Sequence, residues 1–350
     1  MQFASDNRAG VTPEILDAIA EEASTFGGAY AEDEASDQLE ARFAEVFERD
    51  VRVFPVLTGT AANSLALACC CDPWGAVVCH SESHIAVDEC GAPEFYGGGL
   101  RLVPIEGDGH QLDAAGLTRM LEAVAAERTD VHRVPLQALS VTNLSELGHA
   151  YSPDETAALC DAARAHGLAT HLDGARFANA VVGTGATPAD LTWRSGIDVM
   201  SFGATKNGAL AAEAVIFFDA SRAETFERRR KRAGQLFSKM RFVSVQLLAS
   251  LAGDRWLTTA RHANRQARDL ADGLSGAPGV VSCSDPDGNE VFVLVEPPTA
   301  EAWKAAGAQF YGSPSGDRVM IRLVTSFATT DEHLSTFLEV AHRSPTEDKS

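Results

Sequence analysis

The chain shows two kinds of hydrophobic pattern, and they alternate from about residue 51 to residue 218. Short apolar segments lack the alternation of a strand with one exposed face, so they predict strands that are buried on both faces. Between them lie segments with the spacing of amphipathic helices. This order predicts an α/β fold in which helices cover a mainly parallel central sheet. The predicted strands are FPVL, AVVCH, LRLVPI, LQALSVT, LATHLD, IDVMSF and AVIFF.

The clearest predicted helix is SPDETAALCDAARAHG, because both of its ends carry sequence signals. Ser152 is a typical N-cap, and Glu155 three residues later completes a capping box. Pro153 occupies the first helical position, where its missing N–H costs nothing, and Gly167 follows the last turn. The segment therefore predicts a helix with defined limits between two strands.

The pattern changes after about Arg222. A basic and then apolar helical segment, ETFERRRKRAGQLFSKMRFVSVQLLASLAG, is followed by a long helix that contains RHANRQARDLADGL. NEVFVLVE and DRVMIRLVT then predict strands, and TTDEHLSTFLEVAHR predicts a closing helix. Together these segments predict a smaller C-terminal α+β domain. The tail SPTEDKS is expected to be disordered.

Composition limits the classes of partner. The chain has 350 residues, more than the roughly 250–300 at which a single core stops growing, so a large and a smaller domain are expected. Its net charge is -20 at pH 7. Nucleic acid and anionic membrane surfaces bind basic proteins, so neither is expected as a main partner.

Cysteine usage indicates a reducing compartment. The seven cysteines contain no CxxC spacing, and three of them are adjacent at Cys69–Cys71, so the sequence predicts neither a metal site nor a disulfide framework. MQFASDNRAG lacks the basic and apolar regions of a secretory signal, and no apolar run approaches ~18 residues. We therefore expect a cytoplasmic protein.

Candidate chemistry follows the predicted strands. In open α/β sheets, ligands bind beyond the carboxyl ends of the strands, so the residues that follow each strand are the first candidates. In chain order these are Thr58–Thr60, His84, Asn143, Asp173 with Arg176, and Lys206.

Each signal has an ordinary alternative. Thr58–Thr60 is suited to a phosphate at a helix start, but it also fits a capped helix. Asp173 and Arg176 could be a surface ion pair, and Lys206 could be a solvent-facing loop lysine. Lys206 has small and apolar neighbours and no acidic residue nearby until Glu213, which favours a neutral amine able to form a Schiff base. In this order the three signals fit the phosphate, ring nitrogen and aldehyde carbon of pyridoxal phosphate.

The sequence resembles the low-specificity L-threonine aldolases, which belong to the fold type I group of pyridoxal-phosphate enzymes together with the β-eliminating lyases. The resemblance covers nearly the whole chain. It rests on FASDNRAGVTPEILDAI, FGGAYAEDEASDQLEARFAEVF, LTGTAANSLAL, SESHIAVDECGAPEF, HLDGARFANAV and SFGATKNG.

The resemblance also implies residue roles. For the cofactor, it implies a Schiff base at Lys206, a ring-nitrogen contact at Asp173, ring stacking by His84, phosphate contacts at Thr58, Gly59 and Thr60, and a phosphate contact from Arg241 across a subunit interface. For the substrate, it implies carboxylate contacts from Ser5, Arg176 and Arg322, with Arg176 also near the cofactor, a contribution from Tyr30 of a neighbouring subunit, and a second histidine, His132, near the substrate hydroxyl.

The implied reaction is the reversible cleavage of L-threonine, L-allo-threonine or phenylserine to glycine and an aldehyde. His84, His132 or a water held between them could take the hydroxyl proton. A β-eliminating lyase or a racemase would break another bond with the same cofactor. The alternative from a different class is a nucleotide- or NAD-binding protein that uses Thr58–Thr60.

The resemblance further implies a homotetramer, a dimer of dimers with sites at the dimer interface. The expected division of the chain is an N-terminal segment at the active site and interface (1–40), a large cofactor-binding domain (41–250), a small domain (251–343) and the tail (344–350). Two segments differ from the usual family pattern: NGAL follows the lysine, and NLSELGHAY follows the strand LQALSVT.

Overall fold

The computed structural model describes residues 1–126 and 130–343. The predicted tail therefore lies outside the described residues. The strands are β1 (Arg52–Val56), β2 (Ala76–His80), β3 (Arg101–Ile105), β4 (Leu136–Thr142), β5 (Ala169–Gly174), β6 (Val199–Gly203), β7 (Glu213–Phe217), β8 (Val280–Cys283), β9 (Glu290–Val295), β10 (Tyr311–Ser315) and β11 (Arg318–Val324).

The helices lie mostly between these strands, as the sequence pattern predicts. They are α1 (Pro13–Ala23), α2 (Glu34–Phe47), α3 (Gly59–Cys70), α4 (His84–Val87), α5 (Ala92–Tyr96), α6 (Ala114–Ala126), α7 (Pro153–Ala165), α8 (Phe177–Thr184), α9 (Phe226–Arg232), α10 (Arg241–Leu251), α11 (Arg255–Leu274), α12 (Pro297–Ala305) and α13 (Asp331–Ala341). None of the described helices combines the length and the apolar character that a membrane-spanning helix requires.

The central sheet of the described chain has seven strands in the order β1-β7-β6-β5-β4-β2-β3. Strands β2 to β6 pair in parallel, whereas β7 runs antiparallel to both of its neighbours. Each of the seven segments predicted as a strand between residues 51 and 218 forms one strand of this sheet. The predicted mainly parallel sheet is confirmed.

Both faces of the sheet are buried, because neighbouring side chains along each strand enter opposite cores. Val78 joins a core formed with α1, α2, α7, α8 and α10, while Val77 joins a second core with α3 and α9. This explains why the strand segments are continuously apolar. Helix α7 has the predicted capping box between Ser152 and Glu155.

The C-terminal part contains a second sheet with the antiparallel order β10-β11-β9-β8, packed with α11, α12 and α13. This confirms the predicted small α+β region. Its two edge strands were not predicted: all five residues of β10 are exposed, and Pro314 lies within that strand. A proline is tolerated at a sheet edge because no neighbouring strand needs its N–H.

Two connections differ from the sequence pattern. The basic and apolar helical segment is two helices, α9 and α10, because the chain turns after Arg232 through Gly234 in a left-handed conformation (φ 74°). The N-terminus is bound to the second sheet: the N–H of Phe3 donates to Gln309 and its carbonyl accepts from Val324. The residues that follow Phe3 are thereby held at the junction of the two sheets.

Candidate active site

A cavity of about 310 Å³ lies at the carboxyl edge of the central sheet. It is bordered by the residues that follow β1, β5 and β6, by the last residue of β4 and by the start of α3. The sequence predicted this edge from the parallel order of the strands. The lining residues are Asn7, Leu57, Thr58, Gly59, Thr60, Asn63, His84, Glu89, Thr142, Leu144, Glu146, Asp173, Ala175, Arg176, Thr205, Lys206 and Glu213.

Lys206 lies in a short 3-10 turn directly after β6. Within the described chain its ammonium group has no hydrogen-bond or ion-pair partner. Gly208 ends the turn at φ 111°, and a Cβ there would approach Thr12 to 2.6 Å. The turn therefore requires glycine, and it fixes the direction in which the chain leaves the lysine.

Glu213 begins the antiparallel strand β7 and faces the same cavity. Its carboxylate accepts a hydrogen bond from the N–H of Ala204 at 3.0 Å. Burial raises the pKa of Glu213 to about 7, against the lowering effects of its hydrogen bonds to Thr205 and Ala204 and of the Lys206 charge. The nearest acidic residue downstream of Lys206 in the sequence is thus partly protonated at neutral pH.

Asp173 is the residue before the last of β5, and both of its oxygens are hydrogen-bonded. Oδ2 accepts from the side-chain amide of Asn63 at 2.8 Å, and Oδ1 accepts from the N–H of Ala175 at 3.0 Å. The same amide group of Asn63 donates to Glu89 at 2.9 Å. Asp173 is therefore held in one orientation at the floor of the cavity, as a carboxylate that pairs with a protonated ring nitrogen must be.

The start of α3 fits an anion. The Thr58 hydroxyl accepts from the N–H of Ala61, but the N–H groups of Gly59 and Thr60 have no acceptor among the described residues. A Cβ placed on Gly59 would meet no atom within 4 Å, so the glycine faces open space. Unpaired amides at a helix N-terminus bind phosphate. With Asp173 and Lys206 in the same cavity, the residues present fit pyridoxal phosphate.

Arg176 follows Asp173 and joins the site to the N-terminal segment. Its Nε lies 2.7 Å and its Nη2 3.1 Å from the two oxygens of Asp6. Asn289 donates to the same carboxylate at 3.1 Å. Burial alone would lower the pKa of Arg176. The negative charges of Asp6 and Glu290 together have the larger effect, so the pKa is raised. Burial likewise opposes the ionised form of Asp6, and Arg176 more than reverses this, so the pKa of Asp6 is lowered.

Several residues of the site were not predicted as functional from the sequence. They are Asp6, Asn63, Glu89, Glu146, Glu213 and Glu290. Three of them lie inside family motifs, where a signal was present: Asp6 in SDN, Asn63 in LTGTAANSLAL and Glu89 in HIAVDE. Glu146 lies in the segment NLSELGHAY that departs from the family pattern; burial, and then the charge of Glu290, raise its pKa.

Within one copy of the chain, His132 lies away from this cavity. Its role near the substrate hydroxyl stays a prediction, because the resemblance implies sites at an interface between copies. His132 precedes β4 and is exposed, near Arg101 at the start of β3 and Leu168 just before β5. It therefore lies at the amino ends of the strands, opposite the edge where the other predicted residues meet.

Four further predicted residues lie beside the cavity or outside it. Ser5 caps the turn that contains Asp6, and Arg322 lies on β11 with its Nη1 3.7 Å from Glu290. Tyr30 is half-exposed beneath Lys231, and the Nε of Arg241 pairs with Glu22 at 2.5 Å. The roles of Tyr30 and Arg241 involve a second copy of the chain and stay predictions.

The chain is similar to known proteins over most of its length. The profile of the family described as Beta-eliminating lyase matches residues 2–297. A low specificity L-threonine aldolase of Pseudomonas aeruginosa is 41% identical over 310 residues, which are 89% of this chain and 88% of that protein.

Solved structures give the same result for the fold. A threonine aldolase of Leishmania major superposes with a TM-score of 0.89 at 26% identity, covering 97% of this chain and 98% of that one. A structure of SPT with PLP superposes with a TM-score of 0.71 at 16% identity, covering 98% and 86%. The second likeness shows the fold alone.

Proposed function

Because the chain belongs to the β-eliminating lyase family, we propose that it is a pyridoxal-phosphate aldolase that cleaves β-hydroxy-α-amino acids to glycine and an aldehyde. The observation that carries this proposal is Lys206, whose ammonium has no hydrogen-bond or ion-pair partner among the described residues and lies in a cavity with a fixed carboxylate and an open helix start. The proposed substrates are L-threonine, L-allo-threonine and phenylserine.

The cofactor contacts follow from the cavity. Lys206 would hold the cofactor covalently, Asp173 would pair with its ring nitrogen, His84 would pack on the ring, and Thr58–Thr60 would bind the phosphate. Asn63 keeps Asp173 in place through its 2.8 Å hydrogen bond. When bound, pyridoxal phosphate accepts the electrons that are released at Cα when the bond to Cβ breaks.

The substrate carboxylate is proposed to bind at the Arg176 end of the cavity. Arg176 and Arg322 supply the guanidinium groups, and Ser5 directly precedes Asp6, the residue that contacts Arg176. Holding the carboxylate fixes which bond at Cα is aligned for cleavage. The bidentate contact with Asp6 fixes Arg176 in turn, since two hydrogen bonds hold the plane of a guanidinium group.

His84 is the proposed base, acting directly or through a water. Its Nδ1 faces Glu89, which leaves Nε2 free to take the proton of the β-hydroxyl group. The hydrogen bond that His84 donates to Glu89 raises the pKa of His84 above its usual value, against the effect of burial. The proton leaves the hydroxyl oxygen as the C–C bond breaks, and Cα gains a proton to give glycine.

We also propose the larger organisation that the family resemblance implies. Residues 1–40 would form a segment at the site and the interface. Residues 41–250 would form the cofactor-binding domain, and residues 251–343 the small domain. Two copies would complete each other's sites with Tyr30 and Arg241, in a dimer of dimers. Light scattering on the purified protein measures the mass of this assembly.

A cytoplasmic location is supported by the seven cysteines, which are all unpaired, and cell fractionation tests it.

One experiment separates this function from its alternatives. The purified protein is expected to show a visible cofactor band that Lys206→Ala abolishes, whereas a nucleotide-binding protein would be colourless. L-threonine, L-allo-threonine and phenylserine are then expected to yield glycine and an aldehyde. Ammonia and a keto acid would instead indicate a β-eliminating lyase, and inversion at Cα without cleavage a racemase.

A further inference from the structure

Glu290 faces both of the arginines that were predicted to receive the substrate carboxylate. One of its oxygens lies 3.4 Å from Nη1 of Arg176, and the other lies 3.7 Å from Nη1 of Arg322. The carboxylate is 1% exposed, and Arg176 is 10% exposed. A protein carboxylate is therefore already present beside the guanidinium groups that an α-carboxylate would need.

The contacts of Glu290 differ in quality from those of Asp6. Asp6 receives two hydrogen bonds from Arg176, whereas neither oxygen of Glu290 has a hydrogen-bond partner among the described residues. The Nε of Arg322 is buried without an acceptor as well. Distances of 3.4 and 3.7 Å are ion-pair contacts beyond the usual hydrogen-bond range. The two guanidinium groups thus keep donors that a better-placed carboxylate could use.

Carboxylates already oppose the two guanidinium charges near Glu290. Asp6 and Glu290 face Arg176 and Arg322, two carboxylates against two guanidinium groups. Glu146 adds a further carboxyl group close enough to Arg176 and Glu290 to interact with both. An incoming carboxylate would meet little net positive charge, unlike the site that two unopposed arginines would form.

The backbone keeps Glu290 in this position. It is the first residue of β9, paired with Val324 on β11, so its Cα is fixed by the second sheet. Gly148 packs against it, since a Cβ on Gly148 would lie 3.2 Å from the Cβ of Glu290. Only the end of the side chain can move when a ligand approaches Arg176 and Arg322.

We propose that Glu290 is a specificity-determining residue that competes with the substrate α-carboxylate for Arg176 and Arg322. This inference rests on the proposed function, because it concerns the carboxylate of the same amino-acid substrate. Binding of the α-carboxylate displaces the end of the Glu290 side chain from the two guanidinium groups. The competition weakens the affinity for every ligand with an α-carboxylate and leaves amines without one unaffected.

The test compares the holoenzymes of the wild type, Glu290→Gln and Glu290→Ala. Each is titrated with glycine and with methylamine, which is glycine without its carboxylate, and binding is followed by the change in the cofactor absorbance. Both variants are expected to bind glycine about tenfold more tightly or better, a change of the size that charge pairs produce at binding sites, with methylamine unchanged. In cleavage assays KM is expected to fall, while kcat stays at the wild-type value.

Glu296→Gln is the matched control. Glu296 follows β9 and pairs with Arg318 of β11 at the exposed end of the same strands. This variant is expected to bind glycine like the wild type. Circular dichroism and cofactor content establish that each variant is folded.

Unchanged or weaker glycine binding in Glu290→Gln would overturn the proposal. An equal gain for methylamine would also overturn it, and so would a gain in the alanine variant alone, since that would indicate space rather than charge. These results are distinct from a failure of the proposed function, in which no β-hydroxy-α-amino acid yields an aldehyde although the glycine and methylamine titrations proceed.

Discussion

The Nδ1 atom of His84 lies 2.9 Å from Oε1 of Glu89. Glu89 is buried and also accepts a hydrogen bond from Asn63, whose amide donates to Asp173. A single chain of contacts thus joins His84, the proposed base, to Asp173, the carboxylate proposed to pair with the ring nitrogen of the cofactor. Such a chain fixes the ring tautomer of His84, because the nitrogen that faces a carboxylate carries the proton.

Glu89→Gln is expected to shift the pH dependence of cleavage. Glu89 raises the pKa of His84, so replacing it with a neutral glutamine lowers that pKa. His84 then stays unprotonated, and able to act as a base, at lower pH. The acid limb of the kcat/KM profile should move down by about one pH unit, the size expected for one charged hydrogen bond. A profile that stays in place would show that His84 does not supply the base.

His84→Asn is expected to reduce kcat by about 100-fold or more, the usual contribution of a positioned base. The comparison is His132→Asn, which should cleave at the wild-type rate because, within one copy of the chain, His132 lies at the opposite end of the strands. Steady-state assays with phenylserine measure both. Full activity in His84→Asn would eliminate this histidine as the base, and a large loss in His132→Asn would support the role near the substrate hydroxyl that the resemblance implies for it.

Asp6→Asn is expected to weaken substrate binding and lower stability together. The carboxylate holds Arg176 by two hydrogen bonds, and its loss leaves a buried guanidinium with fewer partners. Breaking a buried ion pair costs about 3–5 kcal/mol in the free energy of unfolding. Denaturant titration should show such a loss, and KM should rise about tenfold. This is opposite to the effect expected for Glu290→Gln.

Gly59→Ala is expected to separate cofactor binding from folding. Its Cβ would enter open space at the start of α3. The free energy of unfolding of the apoprotein should therefore lie within about 1 kcal/mol of the wild-type value. The same Cβ would enter the proposed phosphate position. Titration of the apoprotein with pyridoxal phosphate should show an affinity weaker by about tenfold or more. Equal cofactor affinity would place the phosphate elsewhere.

Glu213→Gln is expected to alter the pH dependence of stability. Burial raises the pKa of Glu213 from 4.5 to about 7 in the folded chain, so folding retains a proton that the unfolded chain loses. This contribution is present below about pH 4.5 and declines until about pH 7, by about 3 kcal/mol in total. Denaturation of the apoproteins across this range should show the decline in the wild type only. Parallel curves would contradict the assignment.

The positions of the cofactor residues were predictable because they follow from local patterns. Each parallel strand was recognisable as an apolar segment, and parallel strands bring their carboxyl ends to one edge. Gly59 and Lys206 follow β1 and β6, Asp173 lies at the carboxyl end of β5, and the three meet in one cavity for that reason. The same rule explains why His132 lies away from the cavity of its own copy, since it precedes its strand instead of following it.

The residues that were missed act through contacts that are distant in sequence. Asp6 binds Arg176 across 170 positions, and Asn63 reaches Asp173 across 110. No periodicity or spacing records such pairs, since they depend on how α3, the N-terminal segment and the sheets pack. Glu290 is the strongest case: by sequence it begins an ordinary strand, and by position it faces two arginines.

The sequence by itself determined the order of strands and helices, the edge of the sheet that carries the chemistry, and the lysine, aspartate and helix start that suit the cofactor. Hydrophobic period and turn residues are local properties of the chain, so they can be recognised without coordinates. Only the tertiary structure decided which carboxylates surround Arg176 and which histidine reaches the cavity, because burial and charge pairing arise when distant segments pack together.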